Sequence, residues 1–151
     1  MPQECTGGKM SILKKFELTI LLICFLSTLP VIAVHGQQPT IVYVSPTGSD
    51  AKGNGSSTNP YATITHAVGV APAGAILMIA PGTYTESVTI TKPLTLESES
   101  SQPTNTIINA SGELNGVAIT GANANGTTIE GLTVENANAE GIYVQDASHV
   151  T

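Results

Sequence analysis

One stretch of this chain repeats itself, and that repeat constrains the fold more than any other feature. "GVAITGANANGTTIEG", starting at Gly116, can be laid over "GIYVQDASHVT", starting at Gly141, an offset of 25 residues. Val117 then falls on Ile142, Ile119 on Val144 and Ala122 on Ala147. If the second loop is two residues shorter, Thr127-Thr128 falls on Val150-Thr151. Within each copy the apolar residues stand two apart, the period of a strand. A repeat of roughly 20–25 residues made of short strands indicates a β-solenoid rather than a sandwich. One such coil cannot bury its inward face alone. Coils stacked about 4.8 Å apart pair each backbone N–H and C=O with the coil above or below and align their Val and Ile side chains inward. Leucine-rich repeats share the period, but this chain has no Leu-rich consensus and no helix in each repeat.

The rest of the chain fits that reading. In "APGTYTESVTITKPLTLESES", residues 80–100, Val88, Ile90, Leu94 and Leu96 are expected to point inward. Pro81-Gly82 and Lys92-Pro93 are expected at corners, and Glu97 and Glu99 to face water. Further strands are expected in "TIVYVSP", "AILMIA", "TII", "GVAIT", "TTIEGLTV", "GIYV" and "HVT". "YATITHAVGVAPAG" alone changes period: Ile64, Ala67, Val68 and Ala71 mark one face of a short helix over 63–71. Thr63 is its expected N-cap, and Pro72 with Gly74 ends it. After Gly74 no further helix is expected. An end coil is an exposed strand edge, so a helix at the start is expected to cap the stack.

"YVSPTGSDAKGNGSSTNPYATITHAV" followed by "APAGAILMIAPGTYTESVTITKPLTL" resembles the N-terminal part of right-handed parallel β-helix proteins of the pectin-lyase-like superfamily. It is similar above all to their secreted, largely uncharacterised bacterial and archaeal members, over essentially all of residues 41–151. There a strand, a Gly/Asp/Pro loop and a capping helix precede the "PGTY.E" block, and the coils follow. The resemblance implies an all-β right-handed parallel β-helix with a short N-terminal capping helix. The same block also looks like the start of pectin methylesterases.

The segment beginning at Met10 has Lys14 and Lys15 ahead of an apolar run from Leu18 to Val34, then Val34-His35-Gly36. A basic start, an apolar middle and a small-residue exit read as a signal peptide over residues 1–36, with Met10 an alternative start and Gln37 the first mature residue. A retained membrane anchor is the competing reading. The expected organisation is therefore a leader, then strand, loop and capping helix over 37–74, then β-helix coils over 75–151. Both cysteines, Cys5 and Cys24, fall in the leader, so the mature chain has no disulfide. Lys52 and Lys92 then face nine acidic residues, a net charge of −7, and the chain has no Arg. Such a chain offers no basic groove for nucleic acid. About three coils are present, and the last, at His149-Val150-Thr151, has no polar cap. The expectation is a fragment whose partners include further coils of its own.

No catalytic, cofactor-binding or metal site is assigned. Paired carboxylates such as Glu97 and Glu99, or a strip of Glu113, Glu130, Glu135, Glu140 and Asp146, fit glycosidase chemistry in kind, but Glu on outward strand faces also keeps a solenoid soluble. Pectate lyases use Arg or Lys as the base that takes the proton next to the uronate carboxyl; Lys92, before Pro93, reads as a turn residue. The methylesterase pattern wants a Gln-Ala pair where this chain has Glu140-Gly141-Ile142. Asp50 with Asn54 offers oxygen ligands for Ca²⁺, against the simpler reading of a turn held by its own side chains. His66 and His149 have no metal-ligand spacing. Asn115, Asn123, Asn125, Asn136 and Asn138 suit corners, as ladders or left-handed turns. Asn54, Asn109 and Asn125 sit in N-glycosylation patterns. Tyr61, Tyr84 and Tyr143 are candidates to stack sugars or to pack.

The sequence thus points to an exported module at the cell surface or outside it, polysaccharide-associated and non-catalytic in this segment. The alternatives are the head of a polysaccharide-processing enzyme (a pectate lyase, polygalacturonase or pectin esterase-like protein) and a structural or adhesive protein. Expression in a secreting host is expected to release a chain whose N-terminal residue is Gln37, read by intact mass and N-terminal sequencing; a product retaining Leu18–Val34 would establish the anchor instead.

Overall fold

The computed structural model describes residues 38–100 and 102–151. The expected signal segment, with its alternative start at Met10 and its expected cleavage before Gln37, and both cysteines lie outside the described residues. From the N-terminal side, β1 (Ile41–Val44) leads through a long loop to α1 (Ile64–Val70), the one α-helix among the described residues. Nine strands follow: β2 (Ile76–Ile79), β3 (Gly82–Thr85), β4 (Val88–Ile90), β5 (Thr95–Ser98), β6 (Thr106–Asn109), β7 (Asn115–Thr120), β8 (Thr128–Glu130), β9 (Thr133–Glu135) and β10 (Glu140–Gln145).

These strands form three sheets, ordered β1-β2-β5-β8, β3-β6-β9 and β4-β7-β10, and every pairing is parallel. The chain therefore visits the three sheets in the same order three times. Mostly β, with parallel sheets and one α-helix, the described residues are compatible with a β-solenoid.

Register explains the core. Val42, Leu77, Leu96 and Ile129 are successive partners in the first sheet, and Val44 pairs with Ile79. Tyr84, Ile108 and Val134 align in the second. In the third, Val88, Val117 and Ile142 form one column, and Ile90, Ile119 and Val144 another. Alternation turns these residues inward, and Leu77, Ile79, Val88, Ile90, Leu96, Ile108, Val117 and Ile119 are all fully buried. Each such side chain contributes about 1.5–3 kcal/mol relative to exposure. The four inward residues of "SVTITKPLTL" lie where the sequence places them.

The 25-residue repeat is borne out pair by pair. Val117 is opposite Ile142 and Ile119 opposite Val144. The shortened second loop also holds: Thr151 N donates to Thr127 O at 3.1 Å and Thr151 O accepts from Ile129 N at 2.8 Å. Those two bonds set Thr151 opposite Thr128, although "HVT" forms no strand of its own.

The structure corrects the sequence at three points. Pro81-Gly82 is not simply a corner, because Gly82 opens β3. That strand escaped the sequence because Tyr84 is its only inward side chain, with Thr83 and Thr85 exposed beside it. "TTIEGLTV" is two strands, broken at Gly131, whose φ is +69°. And two short 3-10 turns, Pro103–Asn105 and Ala122–Ala124, shape corners after Gly74, where no helical turn is expected.

α1 matches expectation closely. Thr63 is its N-cap, its hydroxyl accepting from His66 N at 3.2 Å, and Ile64, Ala67 and Val68 are buried. The helix packs against β4, β1 and β2. Where coils close on one another, Gly116 is sterically required: a Cβ there would overlap Val134 Cγ1 and lie 2.8 Å from Gly141 O.

Gly116→Val is accordingly expected to lower unfolding stability by about 2–3 kcal/mol through overpacking, read by urea denaturation; Gly69→Ala, where no atom lies within 4 Å of the added methyl, serves as the tolerated control. Equal loss in both variants would contradict the register described for β7 and β10.

Candidate functional site

The loop between β1 and α1 is folded back against β1. Tyr43 N donates to Gly55 O at 2.9 Å, Tyr61 N to Tyr43 O at 3.0 Å, and Ser45 N to Tyr61 O at 2.9 Å. The free edge of β1 is thus satisfied by its own loop, as a buried or aggregation-prone edge must be. The loop is drawn in tightly: a Cβ on Gly48 would collide with the Tyr61 carbonyl and lie 2.6 Å from that of Pro60. Asn54 Oδ1 accepts from Ser56 N at 3.1 Å, and Asn59 Nδ2 donates to Lys52 O at 2.9 Å. These are side-chain-built turns of the kind Asn favours.

Between loop and sheet lies an open groove of about 360 Å³. Tyr43, Val44 and Ser45 supply one wall and Thr47, Ser57, Thr58 and Pro60 the other, with Ala80 and Glu99 at the coil side. Beneath it Tyr84 is buried, its hydroxyl donating to Ala80 O at 2.8 Å with Val44 O at 3.4 Å. Burial, with the Glu86 and Glu99 carboxylates nearby, holds that phenol far above its ordinary range, so Tyr84 is a neutral hydroxyl fixed under the floor. The Ser45 and Thr47 hydroxyls lie 3.0 Å apart, and those of Ser56 and Thr58 3.4 Å. The groove therefore offers one half-exposed aromatic ring, several hydroxyls and one carboxylate.

The carboxylates named from the sequence are not brought together in the pairings expected of them. Glu97 stands in an outward column between Met78 and Glu130, whereas Glu99 lies past the end of β5, where its N–H donates to Ile79 O at 2.9 Å. Glu135 pairs with Asn109 and Glu140 with Asn115. Among the described residues, no three of His, Cys, Asp and Glu come together. Tyr84 packs, and Tyr61 leans on His66 with ring centroids 4.7 Å apart. Half-buried Tyr143 extends its hydroxyl to Gln145 at 3.1 Å. Of the asparagines expected at corners, Asn115 instead opens β7, paired with Glu140. Asn136 takes φ +60°, and its Nδ2 donates to Asn109 Oδ1 in the coil below at 3.2 Å. Asn125 Oδ1 accepts from Ser148 N at 2.7 Å. His149 also adopts a left-handed φ of +55°.

What the sequence missed is how α1 is held. The Glu86 carboxylate accepts from Ile64 N at 2.9 Å and Thr65 N at 2.7 Å, at the helix start. At the other end Lys92 Nζ donates to Ala71 O at 2.6 Å and Gly69 O at 3.1 Å. An anion at the N-terminus and a cation at the C-terminus both satisfy orphan backbone groups and oppose the helix dipole. Lys92 is thus more than a turn residue. The available signal was the pair itself, of opposite sign and six apart, flanking an inward strand the length of a two-turn helix. Asp50 adds a third anchor: Oδ1 accepts from Ala62 N and Thr63 N at 2.8 and 3.1 Å, and Oδ2 from Thr63 Oγ1 at 2.8 Å. Asp50 and Asn54 thereby have separate hydrogen-bonding roles.

Residues 46–102, from the loop through α1 to just beyond β5, match a family described as a protein of unknown function (DUF1565), a family of β-helix-like repeat proteins. That match spans little more than a third of the chain. No curated protein and no solved structure matches it.

Partial burial pushes the Asp50 carboxyl up, but its bonds to the Thr63 hydroxyl and the Thr63 and Ala62 N–H groups, with the His66 charge, outweigh that and hold it below the ordinary 3.8. A carboxyl lowered by folding stabilises the native state above its unfolded value and stops doing so as pH falls through the lowered one. Asp50→Asn is expected to cost about 1 kcal/mol at neutral pH, below the usual worth of bonds to a charged group because the site is half exposed. It should also flatten the loss of stability below about pH 4, measured by thermal melts across pH. An unchanged acid limb would show that Asp50 does not anchor α1.

Proposed function

We propose that this protein is an exported right-handed parallel β-helix module that binds polysaccharide without cleaving it in this segment. The observation that carries the reading is the groove beside β1. Hydroxyls of Ser45, Thr47, Ser57 and Thr58 present both donors and acceptors, and the Tyr43 ring offers an apolar face of the kind that stacks on a sugar ring. Glu99 is the one charged side chain lining it. With two lysines against nine acids beyond residue 36, like-charge repulsion turns uronate polymers away. The ligand class is therefore a neutral glycan. Support for the handedness is general: a crossover between parallel strands of one sheet, such as that from β2 through β3 and β4 to β5, is right-handed in about 98% of cases. Support for export is the basic start and apolar run at Lys14–Val34. The family match agrees with a β-helix and is silent on ligand.

Isothermal titration with neutral oligosaccharides (xylan-, glucan- and mannan-derived) against oligogalacturonate is the direct test. A neutral glycan is expected to bind, and Tyr43→Ala to weaken it roughly tenfold, about the worth of one aromatic stack. Tighter binding of oligogalacturonate, or no response to any neutral glycan, would overturn the proposal.

A further inference from the structure

Three Asn-Gly pairs occur in this chain: Asn54-Gly55, Asn115-Gly116 and Asn125-Gly126. Such a pair can react with itself. The glycine amide nitrogen attacks the asparagine side-chain carbonyl, and glycine, lacking a Cβ, leaves that approach open. In a folded chain the reaction waits until nitrogen and carbonyl are both released, and the fold treats the three pairs differently. Gly55 is buried: its N–H donates to Asn59 O at 3.2 Å, and its carbonyl accepts from Tyr43 N at 2.9 Å. Asn54 Oδ1 is turned to Ser56 N. Gly116 is buried within β7, close against Val134 and the Gly141 carbonyl. Releasing either pair means lifting the loop off β1 or dismantling a ladder. Asn125 and Gly126, by contrast, are both exposed, at the corner between the Ala122–Ala124 turn and β8.

One residue holds both reacting groups of this third pair. Ser148 N donates to Asn125 Oδ1 at 2.7 Å, and Ser148 O accepts from Gly126 N at 3.0 Å. Ser148 stands in a corner with two left-handed non-glycine residues, Asp146 at φ +56° and His149 at φ +55°, a conformation in which a Cβ is crowded. The latch is therefore strained, and a single local movement frees nucleophile and electrophile together. We propose that Asn125 is the site at which this folded protein undergoes spontaneous deamidation. In the released corner Gly126 N gives its proton to solvent base and bonds to Asn125 Cγ. The Cγ–Nδ2 bond breaks, and ammonia leaves with a proton. Water then opens the cyclic imide at one of its carbonyls, so that the side-chain amide and one water become a carboxylate and ammonium, with no change of oxidation state. Opening at the main-chain carbonyl leaves an isoaspartyl link. That link lengthens the backbone just before β8 and disturbs its register against Thr95–Glu97. The site does not depend on the glycan reading.

The test ages the whole chain in mildly alkaline buffer and follows each pair by peptide mapping. Cleavage after Glu113 and Glu130 yields one peptide holding both Asn115 and Asn125, and fragmentation separates them. Because opening is fast against the chemistry, each rate tracks the population of its opened state, and Asn125 is expected to convert roughly tenfold or more faster than Asn54 and Asn115. In urea the fold no longer discriminates, and the three rates are expected to converge. Ser148→Pro removes the N–H that holds Asn125 Oδ1. It is expected to raise the rate at Asn125 severalfold, with an unchanged rate at Asn54 as the internal measure that the chain stays folded. Conversion first at Asn54 or Asn115, an Asn125 that converts in urea but not in the folded chain, or a folded Ser148→Pro variant with the original rate at Asn125 would each overturn the proposal.

Discussion

Everything in this fold follows from the fact that a short parallel strand cannot satisfy its own backbone. The strands are three to six residues long and make no hairpins, so each N–H and C=O must find its partner a full coil away. Unpaired and buried, such groups cost on the order of 1–3 kcal/mol each. That requirement sets the spacing of coils, forces equivalent residues into register, and makes columns of Val, Ile and Leu the only economical core. Polar side chains are admitted inside only in matched pairs. Thr106 is fully buried because its hydroxyl lies 2.7 Å from that of Ser98, and Thr127 because it donates to Ala124 O at 2.8 Å. Among the described residues no buried side-chain nitrogen or oxygen lacks a partner.

The same requirement explains the care taken over α1. A seven-residue helix is too short to be stable by propensity. Here it is fixed by side chains on either side of β4, Glu86 at its start and Lys92 at its end, and by Asp50 from the preceding loop. The helix therefore does not merely rest on the stack; a coil strand specifies its position and direction.

Legibility in the sequence tracks how much of each element's information is apolar. The columns of β4, β7 and β10 were readable because two inward residues per strand make a period, and the register of Val117 on Ile142 came from the repeat alone. β3 was not readable, since Tyr84 stands by itself between exposed threonines. The anchors of α1 were hidden for a different reason: Glu86 and Lys92 are distant in sequence from the helix ends they bind, and their meaning exists only once β4 is laid alongside it. The groove beside β1 was equally out of reach. Its lining comes from four separated places in the chain, and of its residues only Glu99 was singled out beforehand, for a role in a carboxylate pair that the structure does not assemble.

The clamp on α1 also joins two parts of the chain into one event. Glu86 and Lys92 flank β4, whose Val88 and Ile90 stand in register with Val117 and Ile119 of β7. The helix cannot swing away without releasing the residues at both ends of that strand, so α1 and β4 open together or not at all. The helix behaves as a bolt shot through the wall rather than a lid laid over it.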